Sequence, residues 1–348
     1  MWEYIPFENC LEKTKIKFKL PKKDYKDSGK YPIVSQEASL ISGYHDDISY
    51  IFKVAKPIVV FGDHTQALKY IDFDFIVGAD GVKILQPKKT INPKYFYYVL
   101  KTLMPKTTGY ARHYKLLKKL DIPVPPLQEQ ERIVAKLDTA FAEVESLNKI
   151  VSIRKSELAK LKKVLLLKTL SSEKSDLINL GDVCELIYGK GLDKIDRLEN
   201  DGIPVYGANG IKAYSTKFLS DEPSIIIGRK GSAGELNRVS SAFWALDVTY
   251  YTKINKKLID LDFLYYTLSS MDLPSMAKGV KPGINRNDVY KRFIYLPALE
   301  EQKHIVSILD AAYTEIEKVN DAVSKFKNNC DALKTAILKQ ELQSSEAA

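Results

Sequence analysis

One stretch of this sequence is repeated. PPLQEQERIVAKLD at 125–138 returns, altered, as PALEEQKHIVSILD at 297–310 in a chain of 348 residues. A shift of 297 minus 125, or 172, aligns the two copies without a gap, and identities continue beyond them, as at Glu143 with Glu315. A repeat in register at this scale indicates a duplicated structural unit. The chain is long enough for about two domains of ordinary size, so we expect two related halves.

The repeated stretches open two long helices. Apolar residues recur at alternating intervals of four and three in both copies, and only Arg154 interrupts the pattern in the first. A 3.5-residue repeat held over nearly five heptads predicts coiled-coil packing, and the prolines before each copy suit a helix start. The helices are predicted at 127–170 and 299–342, each about 65 Å long at ~1.5 Å per residue.

The segments before the two helices also resemble each other, although more loosely. GKYPIVSQ at 29–36 corresponds to DGIPVYGANG at 201–210, and KPIVVFGDHT at 56–65 corresponds to EPSIIIGRKGSAG at 222–234. Short β-branched runs bounded by Gly, Pro and Asp predict strands, whereas YFYYVLKTL and FLYYTLSSM predict buried helices. Each segment is therefore expected to be a mixed α/β globule. The predicted order is a globule at 1–124, a helix at 125–172, a globule at 173–296 and a helix at 297–348.

This architecture resembles the specificity subunit of type I restriction-modification systems. The resemblance covers essentially the whole chain and depends on the duplicated Pro-x-Leu-x-Glu-Gln-x-x-Ile-Val-x-x-Leu-Asp opening, together with NLGDVCELIYGKGL at 179–192. It implies two target recognition domains in a tandem pseudo-symmetric repeat, separated by two long antiparallel helices that form a coiled coil. Each domain would read one half of a split site in double-stranded DNA.

The resemblance also implies partners. The helices would set the spacing of the half-sites and dock two methyltransferase subunits, and restriction or translocase subunits join them in some systems. It places the chain in a prokaryotic cytoplasm. No cofactor is expected on this chain, because S-adenosylmethionine, and ATP with Mg²⁺ where a restriction subunit is present, would bind the partners.

Composition and charge are compatible with a polyanionic partner. The formal charge is +9. Residues 1–120 carry 21 Lys and Arg against 12 Asp and Glu, or +9, whereas 173–292 carry 17 against 16, or +1. Long-range attraction to DNA would therefore come mainly from the first globule. We expect the free chain to bind DNA weakly and to gain affinity in the complex.

Targeting and metal-binding signals are missing from the sequence. No run of 18 apolar residues occurs, so no membrane partner is expected, and MWEYIPFENC lacks the features of a signal peptide. Cys10, Cys184 and Cys330 are far apart and odd in number, which favours reduced, buried thiols in the cytosol. The four histidines have no metal-ligand spacing.

No catalytic motif is convincing. NPKY at 92–95 resembles the Asn-Pro-Pro-Tyr motif of amino-methyltransferases, but Lys94 replaces the second proline, and a helix start explains it better. GRKGSAG at 228–234 lacks the Gly-Lys-Ser/Thr ending of a phosphate-binding loop. The Glu301–Lys303 fragment has no second acidic partner and is interpreted as part of a helix start. The chain is therefore predicted to be non-catalytic.

Binding residues are better supported than catalytic ones. A protein that reads DNA needs cations for phosphates and amide or guanidinium groups for base edges, carried on loops of a rigid scaffold. Loops in equivalent places of the two globules carry such residues. In the first globule the candidates are Gln36, His64, Gln66, Arg112, His113 and Lys115. In the second they are Asn209, Arg229, Lys230, Lys278, Lys281, Asn285 and Arg286.

Two other functions stay open at this stage. One is a structural coiled-coil adaptor that does not contact DNA. The other is a single-chain DNA-modifying enzyme, against which the missing cofactor loop and catalytic residues argue. The sequence favours a non-catalytic specificity subunit over both.

Overall fold

The structure is a computed structural model that describes residues 2–104, 112–171, 176–280 and 282–343. The chain divides into two compact units, Met1–Val151 with Lys325–Ala348 and Ser152–Ser324. We name them unit 1 and unit 2. Each unit contains one globule and a part of both long helices, so the duplication in sequence is also a duplication in structure.

The unit 1 globule is built from two four-stranded sheets and a strand pair. Along the described chain the strands are β1 (Glu3–Pro6), β2 (Leu11–Glu12), β3 (Tyr31–Val34), β4 (Gly43–His45), β5 (Ile51–Phe52), β6 (Ile58–Gly62), β7 (Leu68–Ile71), β8 (Phe75–Val77), β9 (Val82–Pro87) and β10 (Asp121–Val124). The sheet orders are β2-β9-β6-β7 and β4-β3-β8-β5, and β1 pairs with β10. Every residue of β6 is buried, which agrees with its unbroken apolar sequence.

The unit 2 globule repeats this plan, with three strands instead of four in its second described sheet. Its described strands are β11 (Asp176–Asn179), β12 (Cys184–Tyr188), β13 (Ile203–Gly207), β14 (Gly210–Ser215), β15 (Ser224–Gly228), β16 (Leu236–Val239), β17 (Trp244–Ala245), β18 (Thr249–Ile254) and β19 (Phe293–Leu296). The sheets have the orders β12-β18-β15-β16 and β14-β13-β17, and β11 pairs with β19. The fully buried strand β15 takes the place that β6 has in unit 1.

The two long helices and the helices around YFYYVLKTL and FLYYTLSSM are those expected from the sequence, whereas the short helices at Tyr114–Leu117 and Arg286–Tyr290 lie in segments expected to be loops. The described helices are α1 (Pro93–Leu103), α2 (Tyr114–Leu117), α3 (Leu127–Leu170), α4 (Leu261–Ser270), α5 (Arg286–Tyr290) and α6 (Leu299–Gln343). The Asn92 side chain accepts hydrogen bonds from the N–H groups of Lys94 and Tyr95, so NPKY is a capped helix start. Asp260 caps α4 in the same way. The predicted mixed α/β fold with two long helices is confirmed, whereas the exact four-segment division stays a prediction.

Within unit 1, α3 and α6 run antiparallel. Lys136 pairs with Glu341 at 2.6 Å, and nine residues further along α3, Glu145 meets Lys334 at 3.5 Å. Residue numbers along α6 decrease as the numbers of their ion-pair partners on α3 increase, so the two helices are antiparallel. Leu137 and Val144 are buried on this face of α3.

Burial of the predicted apolar seam is uneven. Leu166 and Leu309 lie in one buried cluster of unit 2. Other seam positions are more than a third exposed, namely Leu147, Leu161, Val319, Phe326 and Leu333. The heptad pattern identified the helices correctly, but it did not say which of its apolar positions the chain itself covers.

Each globule is joined to a long helix by a tyrosine–aspartate pair. Tyr98 of α1 donates its hydroxyl hydrogen to Asp138 of α3 at 2.6 Å, and Tyr266 of α4 donates to Asp310 of α6. The two aspartates are related by the 172-residue shift, 310 minus 138. Burial, and then the bonded carboxylate, raise the pKa of both tyrosines, so both remain hydrogen-bond donors at neutral pH.

Candidate nucleic-acid interface

In unit 1 the loop after β6 gathers three of the predicted residues. Its ends are closed by the Gly62 N–H, which donates to Ala67, and by the Gln66 N–H, which donates to Gly62. Gln66 has a left-handed backbone conformation with φ 58°. Gln36 reaches this loop from the end of β3, because its side-chain oxygen accepts from the His64 N–H at 3.3 Å. Gln36, His64 and Gln66 therefore lie together.

A second predicted segment packs on the same loop. The backbone N–H of His113 donates to the Asp63 carbonyl at 2.8 Å, and the N–H of Tyr114 donates to the Asp63 carboxylate at 2.8 Å. This capping of α2 places the exposed Arg112 and Lys115 beside the loop. The His113 side chain is only 3% exposed. A residue buried to that extent offers a base little surface in this fold, and its contact with DNA stays a prediction.

We call the contact between the loop after the buried strand and the segment before the last strand a junction. Unit 2 forms the same junction from different side chains. The Gly228 N–H donates to Glu235, as Gly62 does to Ala67, and the Ile284 N–H donates to the Arg229 carbonyl at 3.0 Å, as His113 does to Asp63. Arg229 thus takes the place of Asp63. Because a cation replaces a carboxylate at this point, the two units present different chemistry from one scaffold.

In unit 2 the side chains of two predicted arginines contact the ring of an exposed tyrosine. The guanidinium carbon of Arg286 lies 4.9 Å from the centre of the Tyr188 ring, and that of Arg229 lies 5.3 Å from it. The Tyr188 ring in turn lies 4.9 Å from that of Tyr250. Backbone carbonyls hold both arginines, since Arg286 donates to Leu186 at 3.2 Å and Arg229 donates to Asp247 at 2.7 Å. Ring contact and hydrogen bonds together restrict both guanidinium groups.

The role of Tyr188 in positioning these arginines was not predicted from the sequence. Tyr188 is the last residue of β12 and is 45% exposed. Strand periodicity explains a tyrosine there without any function, so no local signal distinguished it. Burial, and then the neighbouring Tyr188, raise the pKa of Tyr250 to about 12.

The remaining predicted residues of unit 2 surround this cluster. Lys230 is exposed, and both Lys230 and Lys278 form backbone bridges to Gly283. Lys278 lies 3.3 Å from Asp288. Asn285 uses its side-chain oxygen to cap α5, which leaves only its amide hydrogens for a ligand.

Two predicted residues stand apart from the cluster in different ways. Asn209 is exposed in the turn between β13 and β14, a turn that corresponds to the loop after β3 that carries Gln36. Lys281 lies outside the described residues. The structure thus brings Arg229, Lys230, Lys278, Asn285 and Arg286 to one end of the β15 sheet.

The duplicated fold matches a known family along most of its length. The profile described as type I restriction modification DNA specificity domain matches residues 2–155 and again 172–323. This chain belongs to that family. Two matches in tandem agree with the two units seen in the structure. In the described part of this specificity protein, no helix is long and apolar enough to cross a membrane.

Individual relatives agree with this assignment. The chain is 25% identical over 368 aligned residues to the Escherichia coli type I restriction enzyme EcoR124I/EcoR124II specificity subunit, covering 93% of this chain and 89% of that protein. It is 27% identical over 165 residues to the E. coli EcoprrI specificity subunit, covering 46% of this chain and 41% of that protein. A solved chain from a study of the assembly and conformational transition of the type I R-M system superimposes with a TM-score of 0.77 at 17% identity, covering 98% and 97% of the two chains.

Proposed function

We propose that this specificity subunit recognises a two-part DNA sequence, with each globule reading one half-site. The observation that carries the proposal is the pair of equivalent loop junctions, one in each unit, that gather the predicted polar side chains. A chain with one such junction would suit a single site. Two junctions of different chemistry suit two different half-sites in one target.

The side chains at each junction match the chemistry of DNA. In unit 2, Arg229 and Arg286 carry forked donors suited to guanine or phosphate, and the exposed Lys230 suits phosphate. In unit 1, the Gln36 oxygen accepts from the His64 N–H, so its amide hydrogens remain for acceptors on base edges, and Arg112 and Lys115 add charge. Loops on a buried sheet hold these groups in place, which a sequence-reading surface requires.

The rest of the activity belongs to partners in this proposal. Two methyltransferase subunits would supply S-adenosylmethionine chemistry, and ATP-dependent cleavage with Mg²⁺ would come from a restriction subunit where one is present. The duplicated helices give one chain two equivalent docking places for two identical partners. The complex would work in the cytoplasm of a prokaryote, and this chain alone would bind DNA weakly.

Mapping methylated positions in DNA treated with the complete complex tests the proposal. We expect a bipartite motif with a gap of fixed length. Neutralising Lys230 and Arg286 together should weaken or alter one half-site and leave the other unchanged. A matched control is Lys256→Gln, which removes a cation beyond the opposite end of β18 and its exposed pair with Glu222.

Each of the two alternative functions predicts a different experimental result. An adaptor that does not touch DNA would keep its motif when Lys230 and Arg286 are neutralised. A single-chain enzyme would methylate DNA with S-adenosylmethionine in the absence of partners. Either result would overturn the proposed function.

A further inference from the structure

The two units differ at one hairpin that carries a predicted base-edge residue. In unit 2, β13 and β14 pair up to Gly207 and Gly210, so a two-residue turn with Asn209 connects them. In unit 1, the corresponding strands β3 and β4 are connected by residues 35–42, which include Gln36. Tight hairpin turns are stabilised by their own strand pairing, whereas a longer loop needs additional contacts to hold one conformation.

A buried lysine supplies those contacts. Lys69 lies in β7 and is only 5% exposed. Its Nζ donates to the Ser35 carbonyl at 2.8 Å and lies 3.5 Å from the Leu40 carbonyl. The Ser35 and Ser42 hydroxyls are also hydrogen-bonded at 2.7 Å, so the two ends of the loop are tied together. Residues 38–40 remain exposed above this buried base.

The loop held in this way is coupled to the candidate interface. The Gln36 carbonyl accepts from the Thr65 hydroxyl, and the Gln36 side-chain oxygen accepts from the His64 N–H at 3.3 Å. A displacement of residues 35–42 would therefore move Gln36 and release two bonds to the loop after β6. The position of Lys69 thus bears on Gln36 and, through these two bonds, on the loop that carries His64 and Gln66.

Burial of the Lys69 ammonium group costs hydration free energy, and unit 2 has a neutral residue at the equivalent position. Lys69 pairs with Val60 of β6, and the residue in the same place of unit 2, which pairs with Ile226 of β15, is Asn237. A lysine held mainly by carbonyls loses hydration that two neutral acceptors replace only in part. Burial accordingly lowers the pKa of Lys69 to about 8, with Glu37 acting weakly in the opposite direction. The lysine is present where the loop is long, and a neutral residue is present where the turn is short.

We propose that Lys69 is a positioning residue for the first recognition domain: it fixes loop 35–42, and with it Gln36, for reading one half-site. This inference rests on the proposed function. A residue that only stabilised the globule would affect total activity and not the choice of bases. Loss of a residue that holds the reading loop should instead broaden the bases accepted at one half-site.

The experiment compares methylation motifs made by the complete complex on a DNA library with random sequence. Lys69→Met keeps an unbranched side chain, one atom shorter, and removes its donors. We expect discrimination at one half-site to fall about tenfold or more, while the other half-site keeps its bases. Lys69→Arg, which retains a buried cation with several donors, should keep most of the wild-type motif. The matched control is Lys53→Met, which removes an exposed lysine paired with Asp74 in the same unit and should change neither half-site.

The outcomes separate this inference from the proposed function. If the wild-type complex yields no bipartite motif, the proposed function is wrong. If the wild type yields the motif and Lys69→Met keeps both half-sites unchanged, only the role of Lys69 is wrong. Equal broadening of both half-sites would also overturn it. Should Lys69→Met fail to fold, Lys69→Gln, whose shorter polar side chain cannot span to both carbonyls, replaces it with the same decisive outcomes.

Discussion

The side-chain oxygen of Gln130 accepts a hydrogen bond from the backbone N–H of Asn92 at 2.7 Å. The Gln130 side-chain nitrogen donates to the carbonyls of Pro125 at 2.7 Å and Thr90 at 3.1 Å, and the residue is fully buried. The glutamine in the second copy of the repeat, Gln302, makes the matching three bonds to Asp260, Leu258 and Pro297. The repeated glutamine thus ties the start of each long helix to the globule that precedes it.

Replacing Gln130 by alanine should destabilise unit 1. Three hydrogen bonds are lost, and the buried Pro125 carbonyl and the half-buried Asn92 N–H are left without their partner, so we expect a loss of about 2–4 kcal/mol in the free energy of unfolding. Gln128→Ala is the matched control, because Gln128 is exposed in the same turn and its loss should cost roughly 0.5 kcal/mol or less. Denaturant unfolding of both variants measures the difference. Equal losses would show that the buried glutamine does not have this role.

Lys230 and Arg286 should contribute differently to DNA binding. Lys230 is exposed and suits phosphate, so Lys230→Gln should weaken binding to all sequences and lower the salt slope of log K by about 1. Arg286 is held against Tyr188, so Arg286→Lys should lose the fork and relax the base preference at one position. Salt titrations with the complex on matched and mismatched DNA measure both effects. A base preference that Arg286→Lys leaves intact would contradict this assignment.

The buried Lys69 should make the stability of unit 1 depend on alkaline pH. Its pKa is lowered from 10.5 to about 8, so between these values the unfolded chain binds more protons than the folded chain. Stability contributed by this group therefore rises as pH increases from about 8 towards 10.5, by at most ~3 kcal/mol. Because tyrosines also titrate in this range, the quantity to measure is the difference in unfolding free energy between wild type and Lys69→Met. A difference that stays constant over this range would count against the buried cation.

The thiols of Cys10 and Cys184 should resist alkylation in the folded protein. Burial raises the pKa of Cys10 to about 11 and that of Cys184 to about 12, so the reactive thiolate is rare at neutral pH. Iodoacetamide at pH 8 should modify both cysteines only after denaturant is added, as peptide mass analysis can show. Rapid labelling of either cysteine without denaturant would indicate that its globule opens locally.

Hydrophobic periodicity carried most of the fold prediction. The predicted helices 127–170 and 299–342 agree with α3 at Leu127–Leu170 and α6 at Leu299–Gln343. Helix spacing and strand alternation are local properties, and they survive in a sequence because they follow from backbone geometry alone. The duplication added the second half of the prediction, since two aligned copies must build related units.

The candidate site was predictable in part. Loops in equivalent places were found because glycines and charged residues cluster between strands, and the structure brings those loops together in each unit. His113 could not be assigned from the sequence, because its burial depends on packing against the loop at Asp63. Tyr188 could not be found for the converse reason, since only the fold places Arg229 and Arg286 over its ring.

The sequence by itself determined the duplicated architecture, the two long helices and the kind of side chain that each loop offers, because these depend on patterns along the chain. Tertiary structure alone decided which of these side chains meet. Lys69 and Ser35 are 34 residues apart and form a buried hydrogen bond, and Gln130 and Asn92, which are 38 apart, form a partly buried one. Such contacts depend on how whole strands and helices pack, and a local stretch of sequence does not determine that packing.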